Sequence, residues 1–383
     1  MEWLIRNSEE NFALTNLTLT EKDLPSGFPG RFSFHQQALV GGKQEGSELL
    51  LIQVGETVLR VSPTRGMGVI DACHAGVRFG WDSPVKEIVN PAFINLEAFN
   101  GTGWLEGFNE MVTRCGYQWA GHSGSDQGEM LTLHGRIQNT PASIVKLQVE
   151  DTPPYRVTLS GRVDERCFKR TDFEVWMHLH ITPGSNCVEL VDELTNCSDY
   201  SSEYQVIYHN NFGAPLLEEG AKVLVAHEEL SPFNRDAVEG LDSWSDMPAP
   251  TLDFGEQVFN IKPLSDENGW GWAMLHSASN DKAVKVGFET ETLPVMTLWK
   301  NTDTLKEGYV VGLEPGTSFA YNRSLQRELG LVPSIAAGET KRFSLRFEML
   351  VDSESVSKGI SEIEVLQATG TACLLQDPIV DLG

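Results

Sequence analysis

The stretch Tyr204-Gln205-Val206-Ile207-Tyr208-His209-Asn210-Asn211-Phe212-Gly213 decides how this chain is read. In an extended chain, successive side chains point to opposite faces, so Tyr204, Val206 and Tyr208 share one face and Gln205 and Ile207 the other. The run then turns polar, with a histidine and two carboxamides, and Gly213 lets the backbone leave sharply. About a hundred residues on, a second apolar strand, Tyr309-Val310-Val311-Gly312-Leu313, ends in Glu314-Pro315. A proton donor and a proton acceptor, each delivered by a strand end, suit acid/base work on a small polar molecule.

Strand signals continue outward from these two segments. Residues 48–54 and 57–62 flank Gly55-Glu56 and read as a hairpin. Residues 156–163, 172–182 and 186–195 alternate, as do 222–227, 257–262, 271–276, 283–289, 295–299, 309–314 and 341–351. Helical signals are few: a short turn within 95–112 and a helix over 353–367. Span 231–253 reads as a long loop. Many antiparallel strands at short spacing predict an all-β fold, a large sandwich and no βαβ units. The organisation expected is one domain over residues 1–383, with 1–45 an N-terminal strand extension and 352–383 a C-terminal tail packed on the body.

Composition narrows the partners. Of 383 residues, 54 are acidic and 29 basic, a net charge of −25 that repels nucleic acid and anionic lipid and leaves a neutral sugar indifferent. The six cysteines (Cys73, Cys115, Cys167, Cys187, Cys197, Cys373) have neither CxxC nor zinc-type spacing and are expected as buried thiols of a reducing compartment. Without a basic-then-apolar leader or a run of membrane-spanning length, the expectation is a cytoplasmic protein with no membrane or nucleic-acid partner, its oligomeric state open, homodimer included. P-loop, GxGxxG, GxSxG and HExxH patterns are absent.

Several residues qualify for chemistry. His209 is expected to work with Asn210 and Asn211 beside it, a grouping able to read hydroxyls. Glu314, emerging from an apolar strand, is expected to be partly desolvated and so a better base near neutrality. His134-Gly135-Arg136 and Arg65 supply further donors, and Trp299-Lys300-Asn301 offers an indole for the C–H face of a sugar ring with Lys300 at its rim. Trp81, Trp104, Trp270 and Trp272 are spare aromatic candidates. His178 and His180, with Glu174 on the same strand face, form the one pattern of metal-ligand spacing. It equally describes an ordinary polar-out strand, and no metal or other cofactor is expected. The acidic surroundings are expected to favour protonated His209.

The ordered segments Pro63-Thr64-Arg65-Gly66-Met67, Gly101-Thr102-Gly103-Trp104-Leu105, Thr113-Arg114-Cys115-Gly116, Leu133-His134-Gly135-Arg136, His209-Asn210-Asn211-Phe212, Leu298-Trp299-Lys300-Asn301 and Leu313-Glu314-Pro315, closed by Ala337-Gly338-Glu339-Thr340, resemble the galactose mutarotase (aldose 1-epimerase) superfamily. Within it they resemble a branch named as a domain of unknown function. The resemblance implies an antiparallel β-supersandwich binding a small carbohydrate in an open cleft, and an isomerase that interconverts α and β anomers without a cofactor. It implies Glu314 as the base at the anomeric hydroxyl, His209 as the acid at the ring oxygen, and His134 as a binding residue. Arg136, Arg65, Asn211, Trp299 and Lys300, singled out above from the residues themselves, complete the expected sugar contacts. The family's arginine motif is missing, so Arg65 or Arg136 has to replace it, and Asp266 lies in the interval between His209 and Glu314 that holds the family's substrate-fixing aspartate, without the motif around it. Two other readings stay open: a carbohydrate-binding protein without turnover, and a metal-dependent sugar isomerase using His178 and His180.

Overall fold

The computed structural model describes residues 1–380; the last three residues of the expected C-terminal tail lie outside the described part. Two large sheets face each other. One has thirteen strands and includes Val112–Tyr117, Gln205–Phe212, Gln257–Pro263, Val295–Thr302 and Tyr309–Gly316. The other has ten and includes Val157–Arg166, Asp172–Ile181, Cys187–Asn196 and Thr340–Leu350. Neighbouring strands are antiparallel apart from a short parallel edge, Glu229 and Leu230 against Cys373 and Leu374. Among the described residues there are four α-helices, the longest being Ser353–Gln367. The fold is thus the all-β sandwich that the strand spacing predicts.

Strand alternation builds the core. In Asp172–Ile181 the odd-numbered residues Phe173, Val175, Met177, Leu179 and Ile181 are buried and the even-numbered ones face outward. Tyr204, Val206 and Tyr208 lie in the same inter-sheet core, as their shared parity requires. The predicted hairpin forms with Val54 opposite Thr57. The N-terminal residues feed both sheets: Glu2–Asn7 pairs with Ile144–Val149, and Phe32–Ala38 with Glu48–Val54. The C-terminal helix caps Met274, Ala283 and Leu350 through Val356, Ile363 and Leu366. Its start is fixed by Asp352, whose carboxylate accepts from Ser355 N at 2.8 Å.

One buried ion pair ties the layers together. Arg114 on the thirteen-stranded sheet donates through Nε and Nη2 to Asp192 on the ten-stranded sheet, at 2.5 and 2.9 Å. The Tyr117 and Tyr208 hydroxyls donate to the same carboxylate at 2.7 and 2.9 Å.

Two expectations are corrected here. Only Cys115 is buried, whereas Cys167, Cys197 and Cys373 are exposed because they sit beyond strand ends or on a sheet edge. Nor does either His209 or Glu314 end its strand. The strand carrying His209 runs on to Phe212 and the one carrying Glu314 to Gly316, so both residues are strand-interior. The 95–112 segment is a broken turn of helix, Ala98–Gly101 followed by a 3-10 turn over Gly103–Gly107. No helix among the described residues is long and apolar enough to cross a membrane.

Candidate functional site

Three neighbouring strands of the thirteen-stranded sheet turn one row of side chains away from the inter-sheet core. Asn210 lies opposite Leu313, which sets His209 beside Glu314 across that strand pair. Thr297 lies opposite Glu314 and Trp299 opposite Gly312. Over this row the loops carrying Trp104, Phe108, His122 and His134 close a cavity of about 310 Å³. That is at the small end of ligand cavities, roughly 300–1,000 Å³.

His209 and Glu314 are both buried, and Nε2 lies 3.2 Å from Oε1. The contact lacks hydrogen-bond alignment, so Oε1 remains a buried acceptor without a partner. Burial, then the Glu256 carboxylate, raises the Glu314 pKa well above the usual carboxylate range. Burial also pushes His209 down to about 4, against the opposing effect of its hydrogen bond to Asn211. This corrects the expectation that acidic surroundings favour protonated His209: burial disfavours the charged ring more than the hydrogen bond to Asn211 favours it. Phe108 and Trp299 wall the imidazole in, with ring centroids 5.0 and 5.2 Å away.

His134 reaches the same cavity from a loop. Its ring lies 4.9 Å from Trp104 and 5.6 Å from His209, and its Nδ1 is buried without a partner. Burial, with His209 and His122 nearby, holds its pKa well below the ordinary histidine value. Trp299 presents its ring to the cavity while Nε1 donates to Glu256 at 2.6 Å. Of the spare tryptophans, Trp104 lines the cavity, whereas Trp81 packs behind it on Phe108.

The structure does not bring the other candidates to the cavity wall. Arg65 is fully buried behind it, donating to Glu110 at 3.0 Å, to the Gly107 carbonyl at 2.9 Å and to Asn139. Arg136 is exposed, its guanidinium 5.2 Å from the Trp119 ring centre. Lys300 follows Trp299 and therefore points to the opposite side of the strand, where Nζ donates to the Ser243 carbonyl at 3.1 Å and burial lowers its pKa to about 8. Asn211 touches His209 and the backbone behind it. Asp266 closes a turn, accepting from Trp272 Nε1 and from the Trp270 and Asn268 backbones. His178 and His180 stack on the outer face of the ten-stranded sheet and bond to Ser160 and Thr158. No group of three or more His, Cys, Asp or Glu suited to a metal occurs among the described residues.

Sequence reasoning missed His122, Glu256 and Thr297 as cavity residues. Thr297 was open to discovery through its shared parity with Trp299. Glu256 lies in the interval where the resemblance calls for an aspartate, but on a loop whose sequence carries no facing signal.

Comparisons with known proteins bear on the family and the fold. The family described as a domain of unknown function (DUF4432) matches residues 44–349. A solved structure from Klebsiella pneumoniae, provisionally named an aldose 1-epimerase, is 45% identical, with 100% of this chain and 99% of that chain covered and a TM-score of 0.97. A galactose mutarotase-like protein from Clostridium acetobutylicum shares the fold at 14% identity, with 82% and 98% covered and a TM-score of 0.55. An Escherichia coli protein, also provisionally an aldose 1-epimerase, does so at 13%, with 79% and 99% covered and a TM-score of 0.53. No curated protein matches the chain.

Proposed function

We propose that this protein, which belongs to the DUF4432 family and shares the galactose mutarotase-like fold, interconverts the α and β anomers of a neutral sugar. The observation that carries this reading is the buried His209–Glu314 pair, 3.2 Å apart and facing an aromatic-walled cavity. Glu314 takes the anomeric hydroxyl proton while His209 Nε2 gives one to the ring oxygen. The ring opens, the aldehyde carbon rotates, and the reverse transfers close the other anomer. Each positioned acid or base contributes on the order of 10²–10⁴ in rate. Sugar hydroxyls donating to Glu314 favour its ionised form and move the shared proton to Nε2. His134 and Glu256 hold hydroxyls, and Trp299 packs against the C–H face. The cavity residues include two carboxylates and no lysine or arginine, which favours a neutral sugar over a phosphate or uronate.

The test is exchange-sensitive proton NMR of aldoses, uronates and sugar phosphates, scored above the spontaneous rate. Glu314→Gln keeps the side-chain shape but cannot accept the proton, and is expected to lose about 10²-fold or more in kcat with sugar affinity near normal. Anomer exchange at the wild-type rate in this variant would remove Glu314 as the base. Sugar binding by the wild-type protein without accelerated exchange would favour a carbohydrate-binding role instead.

A further inference from the structure

Behind His209 lies a chain of buried polar contacts with no direct part in that reaction. Asn211 follows two residues later on the same strand face, fully buried. Its Nδ2 donates to the backbone carbonyls of Glu110 at 3.0 Å and His209 at 3.1 Å. Turning the amide over would set its oxygen against two carbonyl oxygens, so the backbone fixes its orientation. Oδ1, which only accepts, is then the atom 2.7 Å from His209 Nδ1. Nδ1 must carry the hydrogen, leaving the lone pair of the neutral ring on Nε2, the nitrogen nearest Glu314. The anchor is itself held. The Glu110 carbonyl also accepts from Trp81 Nε1 at 3.1 Å, and its carboxylate accepts from Arg65 Nε at 3.0 Å and Gln138 Nε2 at 2.8 Å.

We propose that Asn211, anchored through Glu110 and Arg65, is a positioning residue that locks His209 in its Nδ1–H tautomer, so that the exchanged proton always enters and leaves through Nε2. The proposal rests on the reading of His209 and Glu314 as the proton-transfer pair. It gives Arg65 a place three contacts behind the imidazole, through Asn211 and Glu110. The titratable groups facing His209 are Glu314 across the strand pair and His134 from the loop, with Glu256 beyond Glu314. Neither Glu314 nor His134 touches Nδ1, so the lock acts from the side away from the cavity.

The experiment is long-range ¹H–¹⁵N correlation on protein labelled with [¹⁵N]histidine, the His209 signals being assigned from their loss in His209→Gln. Near neutral pH the wild-type ring is expected to show a protonated Nδ1 and a bare Nε2. Asn211→Leu is expected to mix the tautomers and lower kcat about 10- to 100-fold with KM within about twofold. Asn211→Asp, whose buried neutral carboxyl offers an O–H to the carbonyls and an acceptor to Nδ1, is expected to restore the tautomer and most of kcat. A wild-type ring with its hydrogen on Nε2 would overturn the lock without any variant having to fold. So would an Asn211→Leu protein with mixed tautomers and unchanged kcat. A wild-type protein that shows the Nδ1–H ring but accelerates no sugar would sink the proposed function while leaving the lock in place.

Discussion

Glu314 and His209 are each pushed toward neutrality by burial, yet the proposed chemistry needs one proton between them. The pair therefore titrates as a unit, in two macroscopic steps. Below the lower step, near the His209 value of about 4, both groups are protonated and no base remains. Above the upper step, where Glu314 loses a proton held well beyond the ordinary carboxylate range, no acid remains. The expected profile of kcat/KM is a broad plateau between these limits, with the alkaline limb set by the raised carboxyl. His209→Asn is expected to cost turnover far more than binding and to abolish the acid limb near 4. Retention of that limb would assign it to another group, with His134 the first to test. Much of this site was legible because histidine and glutamate are conspicuous on apolar strands. Adjacency in sequence misled where parity decides facing: Lys300 sits next to Trp299 and on the other side of the sheet. Arg65 was legible as an important arginine but not as a buried one, since its partners Glu110 and Asn139 come from distant segments.

The strands that alternate cleanly were readable because one face is apolar and the other polar. Val112–Tyr117 was not, because every residue in it is buried and its inward set includes Arg114. The loop that delivers His134 was also opaque as a backbone: His134 and Gly135 both have positive φ, at 58° and 74°. A Cβ at Gly135 would lie 2.3 Å from the Trp119 carbonyl oxygen and 2.6 Å from that of Gly116. Gly135→Ala is therefore expected to cost at least about 1–2 kcal/mol and, by displacing His134, to weaken sugar binding. Gly128→Ala is the control, with φ of 84° and nothing within 4 Å of the added carbon. Denaturant melts of the two variants separate steric conflict from backbone strain: equal losses would mean that strain alone acts at Gly135.

At the scale of the whole molecule, two sheets held mainly by apolar contact also share the ion pair between Arg114 and Asp192, with both side chains fully buried. Burial works against the Arg114 charge, but the Asp192 charge and its hydrogen bonds outweigh it and raise the pKa, so the guanidinium stays charged inside the sandwich. Removing one member leaves a charge in a low-dielectric interior, which is costlier than removing both. Asp192→Ala is expected to lower the unfolding free energy by about 3–5 kcal/mol, because Arg114 loses its counter-charge and the Tyr117 and Tyr208 hydroxyls lose their acceptor. The double variant Arg114→Met/Asp192→Leu is expected to recover part of that loss, limited by the two tyrosine hydroxyls it strands. Because Tyr208 points to the core and His209 to the cavity, Asp192→Ala reaches the site only through strand position, and kcat per folded molecule should change less than stability. Urea melts with paired rate measurements decide the matter. A loss below about 1 kcal/mol for Asp192→Ala would mean that the inter-sheet core admits enough water to solvate Arg114.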